Sequence, residues 1–275
     1  MRSAFGTSIL FALLCLAGFV SMLFSAVTLI GSLPRGASPA SILEACCGVV
    51  LARLSVGWLL PVAVAAALVF VLVRIARSTW RLAAAGRGIG RLRRVSEPAE
   101  VSGVSCRIYE DSRPLAFCAG ILRPEIFVSR AAAEQMPAEV IGVVMAHEQH
   151  HRLRRDPLRR AVAGILTDGF FFLPVLGQIG RKCVSLSEAG ADRAAAAASA
   201  GGRGDVARAL LAFPAGAGSP GEASLSGDRI EHLAGGCRIW MPTWPMLALT
   251  IVALLALLSA PVVSAELLLV DTVNP

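Results

Sequence analysis

Apolar positions along this chain fall into two kinds of run. Three long ones, Ser8–Ile30, Gly48–Ile75 and Trp244–Ala265, each reach the roughly 20 residues that a bilayer crossing needs. Between them the pattern is shorter and interrupted. Val104–Tyr109, Leu115–Cys118 and Glu125–Ser129 are β-branched or aromatic runs separated by the turn-forming stretches Asp111–Pro114 and Gly120–Pro124, which predicts a small β-meander. Pro137, with Glu139 just after it, opens a helix that should end near Asp156, because Pro157 disfavours helical geometry at the residue before it. Ser187–Ala200 predicts an Ala-rich helix, and Gly201–Gly227 a linker or loop rich in Gly, Ala, Ser and Pro.

These elements predict a mainly α, integral-membrane chain. Residues 1–76 would hold two transmembrane helices joined by a short external loop, and 77–243 a cytosolic α+β domain. Residues 244–265 would form a last transmembrane helix, and 266–275 a short external tail. The first run is long for a signal-peptide core and a second run follows soon after it, so an uncleaved span is the expectation. Segment 161–179 is apolar, with Phe170, Phe171 and Phe172 in a row, yet Asp168 lies inside it and Pro174 interrupts it.

Composition sharpens this picture. Of 275 residues, 55% are hydrophobic and the mean hydropathy is +0.67, which is high for a soluble domain of this size. The net charge of +7 raises the question of nucleic acid. Its placement argues otherwise. No acidic residue lies between Glu44 and Glu97, while Arg74, Arg77, Arg81, Arg87, Arg91, Arg93 and Arg94 follow an apolar run. That is the pattern of a cytoplasmic topology signal beside anionic lipid, and no nucleic-acid partner is expected. A multi-pass protein of the cytoplasmic membrane, with the lipid bilayer as a partner, is the localisation this implies. The seven cysteines form no CxxC pair and are odd in number, so no disulfide framework is expected.

The chemistry gathers at His147-Glu148-Gln149-His150-His151. On a helix, His147 and His151 leave the same face one turn apart, and Glu148 projects beside them. Two neutral imidazoles suit a zinc ion, and the adjacent carboxylate can take a proton from its bound water. His150 lies about 100° round the helix from His151 and is not expected to join them. A catalytic zinc takes a third protein ligand, for which Glu188 is the candidate. Asp192, one turn on, would accept the free N–H of a zinc-bound histidine. One zinc ion per chain is expected. With the three ligands on one side of a bilayer, 161–179 cannot cross it once; a buried, interfacial or re-entrant segment is the expectation. His232, Arg193 and Tyr109 are open candidates for stabilising an oxyanion.

Three segments together resemble the membrane metallopeptidases of the BlaR/MecR type. They are Leu115–Ser129, Ala146–Leu158 with its His-Glu-Gln-His-His and Arg-Arg-Asp-Pro, and Glu188-x-x-x-Asp192. Asp228–Leu233 is similar more weakly. HtpX-like and CAAX-prenyl proteases share the same motif logic. The resemblance implies a gluzincin-type zinc endopeptidase at the cytoplasmic membrane face, with a protein or peptide substrate such as a transcriptional repressor. The alternatives are quality-control proteolysis of membrane proteins and a non-enzymatic membrane scaffold or signal relay. Because the sequence ends at Pro275, no penicillin-binding sensor domain is expected after the last apolar run.

Overall fold

The computed structural model describes residues 2–31, 56–212, 242–256 and 259. The chain divides into two compact units. One comprises Met1–Phe5, Ser78–Ile165 and Gly180–Trp240, and the other Gly6–Arg77, Leu166–Ile179 and Met241–Pro275.

In chain order the labelled elements are helix α1 (Arg2–Gly31), helix α2 (Val56–Val95), strands β1 (Glu97–Val101), β2 (Val104–Tyr109), β3 (Ala116–Ala119) and β4 (Glu125–Ser129), then helices α3 (Arg130–Gln135), α4 (Ala138–Arg154), α5 (Asp156–Gly169), α6 (Pro174–Ala198) and α7 (Arg203–Ala212). Residues 244–256 are also helical.

The four strands form one sheet in the order β1-β2-β4-β3, with β2 and β4 parallel and the other two pairs antiparallel. The expected β-meander is corrected on this point. After Tyr109 the chain passes one strand position, lays β3 at the edge, and returns through Gly120–Pro124 to place β4 between β3 and β2. Gly120 makes the return practicable: its φ is +110°, and a Cβ there would sit 2.5 Å from the Arg123 carbonyl oxygen. Ser129 fastens the other end, its hydroxyl accepting from Leu115 N at 2.9 Å and from Ala132 N at 3.1 Å, which also caps α3.

Strand β1 was not foreseen. It pairs with β2 through Ser102 (φ 50°) and Gly103 (φ 75°), a two-residue hairpin turn of the kind that matches strand twist. Its side chains are largely exposed, as suits an edge strand that carries Pro98.

Alternation along the strands sorts the sheet into two faces. Val104, Cys106, Ala116, Ile126 and Val128 pack against Ile141 and Met145 of α4. Tyr109, Ala119 and Phe127 pack with Phe117 against Ile89 and Leu92 of α2. Helix α4 is covered on a further side as well, where Val143 meets Ala195 of α6 and Val206 and Ala209 of α7. Helix α4 is therefore held both by the sheet and by two helices. Helix α7 corrects the expected linker over its first part, since Val206 and Ala209 supply the apolar stripe that holds it; residues 213–241 lie outside those described.

In the other unit, Phe170, Leu173, Val175, Leu176 and Ile179 are buried. Segment 161–179 is thus the end of α5, a turn, and the start of α6, with Pro174 at the first position of a helix where its missing N–H costs nothing. Arg74 donates from Nε to the Asp168 carbonyl at 2.7 Å.

The integral-membrane architecture, its transmembrane helices and the multi-pass membrane localisation are corrected. Among the described residues, no helix is long and apolar enough to cross a membrane. A crossing requires about 20 consecutive apolar residues within one helix. The expected external loop, the remainder of the last apolar run and the tail lie outside the described residues.

Candidate metal centre

Helix α4 begins after Pro137, whose φ of −55° and ψ of 141° lead into the first turn, and it carries His147, Glu148 and His151 on its last two turns. It stops at Arg155, which takes the left-handed conformation (φ 53°) and donates its N–H back to the carbonyls of Arg152 and His151. That reversal is what places Asp156, the first residue of α5, against the histidines. Its carboxylate accepts from His151 Nδ1 at 2.8 Å and from the Ser187 hydroxyl at 2.6 Å. His147 Nδ1 is held in the same manner by Asp192 Oδ1, 3.0 Å away.

With both Nδ1 atoms committed as donors to carboxylates, the Nε2 atoms of the neutral rings present their lone pairs. They converge. The two rings stand nearly perpendicular, at 78°, and their Nε2 atoms are 3.1 Å apart. Glu188 closes the group, with Oε2 3.5 Å from His147 Nε2 and Oε1 3.4 Å from His151 Nε2. Arg160, on α5, donates to Oε1 of the same carboxylate. The His147, His151 and Glu188 side chains are only 13%, 7% and 11% exposed.

This donor set fits a cation. One ligand atom from each of His147, His151 and Glu188 can be chosen so that all lie within 4.8 Å of one another, and the group could hold a metal ion. Ligands about 2.0–2.2 Å from a tetrahedral ion stand about 3.3–3.6 Å apart; here the two Nε2 atoms are 3.1 Å apart, and one Glu188 oxygen is 3.5 Å from His147 Nε2 while the other is 3.4 Å from His151 Nε2. Two lone pairs and a carboxylate facing one another also repel unless a positive charge lies among them. The protonation behaviour reflects the same need. Burial draws the His147 pKa down, but the hydrogen bonds to Asp192 and Glu188 outweigh it and lift it to about 9. Burial pushes Glu188 up, yet the hydrogen bond from His147 and the nearby positive groups bring it to about 2. Asp156 is likewise held below the usual carboxylate range: burial opposes this, but His151 and Ser187 prevail.

Glu148 is different. Burial raises its pKa, and Glu188 adds to the rise; His147, His151 and a hydrogen bond with the Cys118 backbone work against it. Its carboxylate therefore sits by the edge strand β3. The Cys118 thiol is pushed up to about 12 by its own burial and then by Glu148, so it stays protonated.

The structure brings together all five residues singled out in the sequence: His147, Glu148, His151, Glu188 and Asp192. His150 stands apart from them. Its Nε2 would lie 3.3 Å from a Cβ built on Gly190, so this glycine gives it room against α6. Of the open oxyanion candidates, Tyr109 lies on the opposite sheet face, packed with Ala119 and Phe127. Arg193 is exposed, and His232 lies outside the described residues, as does Asp228–Leu233. Sequence reasoning assigned no site role to Asp156, Ser187 or Arg160. The Asp-Pro pair at 156–157 served there as a helix boundary and as part of the resembling segment, although an Asp at a helix start can also turn its carboxylate toward the preceding helix.

Compared with known proteins, no family model matches this chain, no curated protein matches, and no solved structure matches.

Proposed function

We propose that this protein is a zinc-dependent endopeptidase in which His147, His151 and Glu188 hold the ion and Glu148 is the general base. The observation that carries the reading is the convergence of two Nε2 lone pairs and a carboxylate, with each histidine fixed through Nδ1 by its own aspartate. Three protein ligands leave a fourth position open, the arrangement that distinguishes a catalytic zinc from a closed structural one. The donor set of two imidazoles and one carboxylate suits zinc.

When bound, zinc would acidify a water molecule and polarise a carbonyl oxygen. The remaining roles belong to the chain. Glu148, with a pKa raised by burial, is suited to accept a proton from water and pass it to a leaving amine. Asp192 and Asp156 keep both imidazoles in the tautomer that presents Nε2. Strand β3 is at one edge of the sheet, and its Cys118 backbone is near enough to Glu148 to act on its pKa. An extended peptide pairing with Ala116–Ala119 would bring its own backbone to the general base. The resemblance to BlaR/MecR-type peptidases supports the same chemistry and suggests regulated cleavage of a protein such as a transcriptional repressor.

Glu148→Gln tests the reading, because the change keeps size and removes the base. Zinc content should equal that of the wild type, while cleavage of an unstructured protein substrate should fall by at least about a hundredfold. Undiminished cleavage would remove Glu148 from the mechanism. Zinc binding with no cleavage by the wild type, across a broad peptide library, would favour a non-enzymatic role.

A further inference from the structure

We propose that Arg160 is a positioning residue that restricts Glu188 to binding the ion through one oxygen. This rests on the metal-centre part of the reading above and is independent of whether peptides are cleaved.

Asp156 and Arg160 lie four residues apart on α5 and so share a face. They reach two consecutive residues of α6: Asp156 accepts from Ser187, and Arg160 donates through Nη2 to Glu188 Oε1. The α6 segment bearing the third ligand is thus tied to α5 at two adjoining points. The consequence lies in the two oxygens of Glu188. A carboxylate beside a metal can bind through one oxygen or both, and binding through both would consume the position that a water needs. Oε1 lies 3.4 Å from His151 Nε2 and Oε2 3.5 Å from His147 Nε2; the guanidinium on Oε1 draws on that oxygen's electron density and competes there with the ion, which makes Oε2 the oxygen that binds it. Arginine suits this task. Its rigid planar guanidinium fixes the direction from which Oε1 is approached, which the rotating ammonium of a lysine does not. Its positive charge also offsets the excess of four carboxylates, those of Glu148, Asp156, Glu188 and Asp192.

Cobalt(II) is a suitable probe, because its visible absorption is strong in four-coordinate sites and weak when more ligands bind. The full chain, as wild type, Arg160→Met and Arg160→Lys, would be loaded with one equivalent and compared. The wild type should show strong four-coordinate absorption. Arg160→Met should keep its cobalt but lose most of that intensity, as the second oxygen of Glu188 joins the ion; Arg160→Lys should fall between. Wild-type spectra in Arg160→Met would overturn the proposal. If circular dichroism shows that Arg160→Met does not fold, Arg160→Lys decides: weakened absorption supports the proposal, and a wild-type spectrum overturns it. A wild type that binds no cobalt defeats both this proposal and the metal-centre reading. A wild type that shows the spectral change but cleaves no peptide defeats only the peptidase assignment.

Discussion

At the scale of single residues, His147 shows how a proton and a metal compete for one place. Its pKa of about 9 in the folded chain, against 6.5 for an ordinary histidine, means that at neutral pH the metal-free site carries a proton held by Asp192 and Glu188. A metal must displace it. Because the pKa is raised, the proton is present below about 9 and absent above, so zinc affinity should rise with pH and level off near that value. Between about pH 6 and about pH 8 the gain should approach a hundredfold, one proton being released per ion bound. Competition titrations against a chelator of known pH dependence would measure it. The same shift has the opposite sense for the stability of the metal-free fold: the contribution is full below 6.5 and is lost as pH rises through about 9.

At the scale of elements, the site depends on the junction of α4 and α5. Arg155 ends one helix in the left-handed conformation and Asp156 opens the next, so a change of direction within two residues delivers an orienting carboxylate to His151. Asp156→Asn keeps the shape of the side chain but loses the full charge that favours Nδ1–H on His151. Zinc affinity should drop by about 10- to 100-fold while the fold survives; wild-type affinity with a correctly folded protein would show that Asp156 merely caps α5. The sequence signals available explain what was legible here. Strands β2, β3 and β4 stand out because they are β-branched or aromatic runs with turn residues between them. Helix α4 stands out because Pro137 and Pro157 bracket it. The neighbour relations of the strands were not legible, since a parallel β2–β4 pair leaves no local mark. Strand β1 was hidden by its exposure: Glu97, Pro98 and Glu100 carry no apolar alternation, and only Ser102-Gly103 betrayed the hairpin. Helix α7 was obscured by the glycines around it, its stripe being two residues, Val206 and Ala209.

At the scale of the molecule, long apolar runs in the sequence suggested spans, and the described helices do not provide one. Apolar composition alone is ambiguous between a membrane-crossing helix and a helix covered by other parts of the chain. Phe170, Leu173, Leu176 and Ile179, which contribute to the high mean hydropathy, are buried. The metal site belongs to the other unit, where α4, α5 and α6 each contribute one part: two histidines and the base, an orienting carboxylate and a guanidinium, and the third ligand with its partner aspartate. Spacing revealed His147, His151, Glu188 and Asp192, because each pair is separated by one helical turn. Asp156 and Arg160 act between helices, and no spacing rule announces that. The central claim is that these helices together hold a single ion, and equilibrium zinc titration of the full chain against its Glu188→Ala and His151→Ala variants tests it most directly. The account predicts one zinc per wild-type chain and loss of tight binding in both variants; one tightly held zinc per chain in either variant would contradict it.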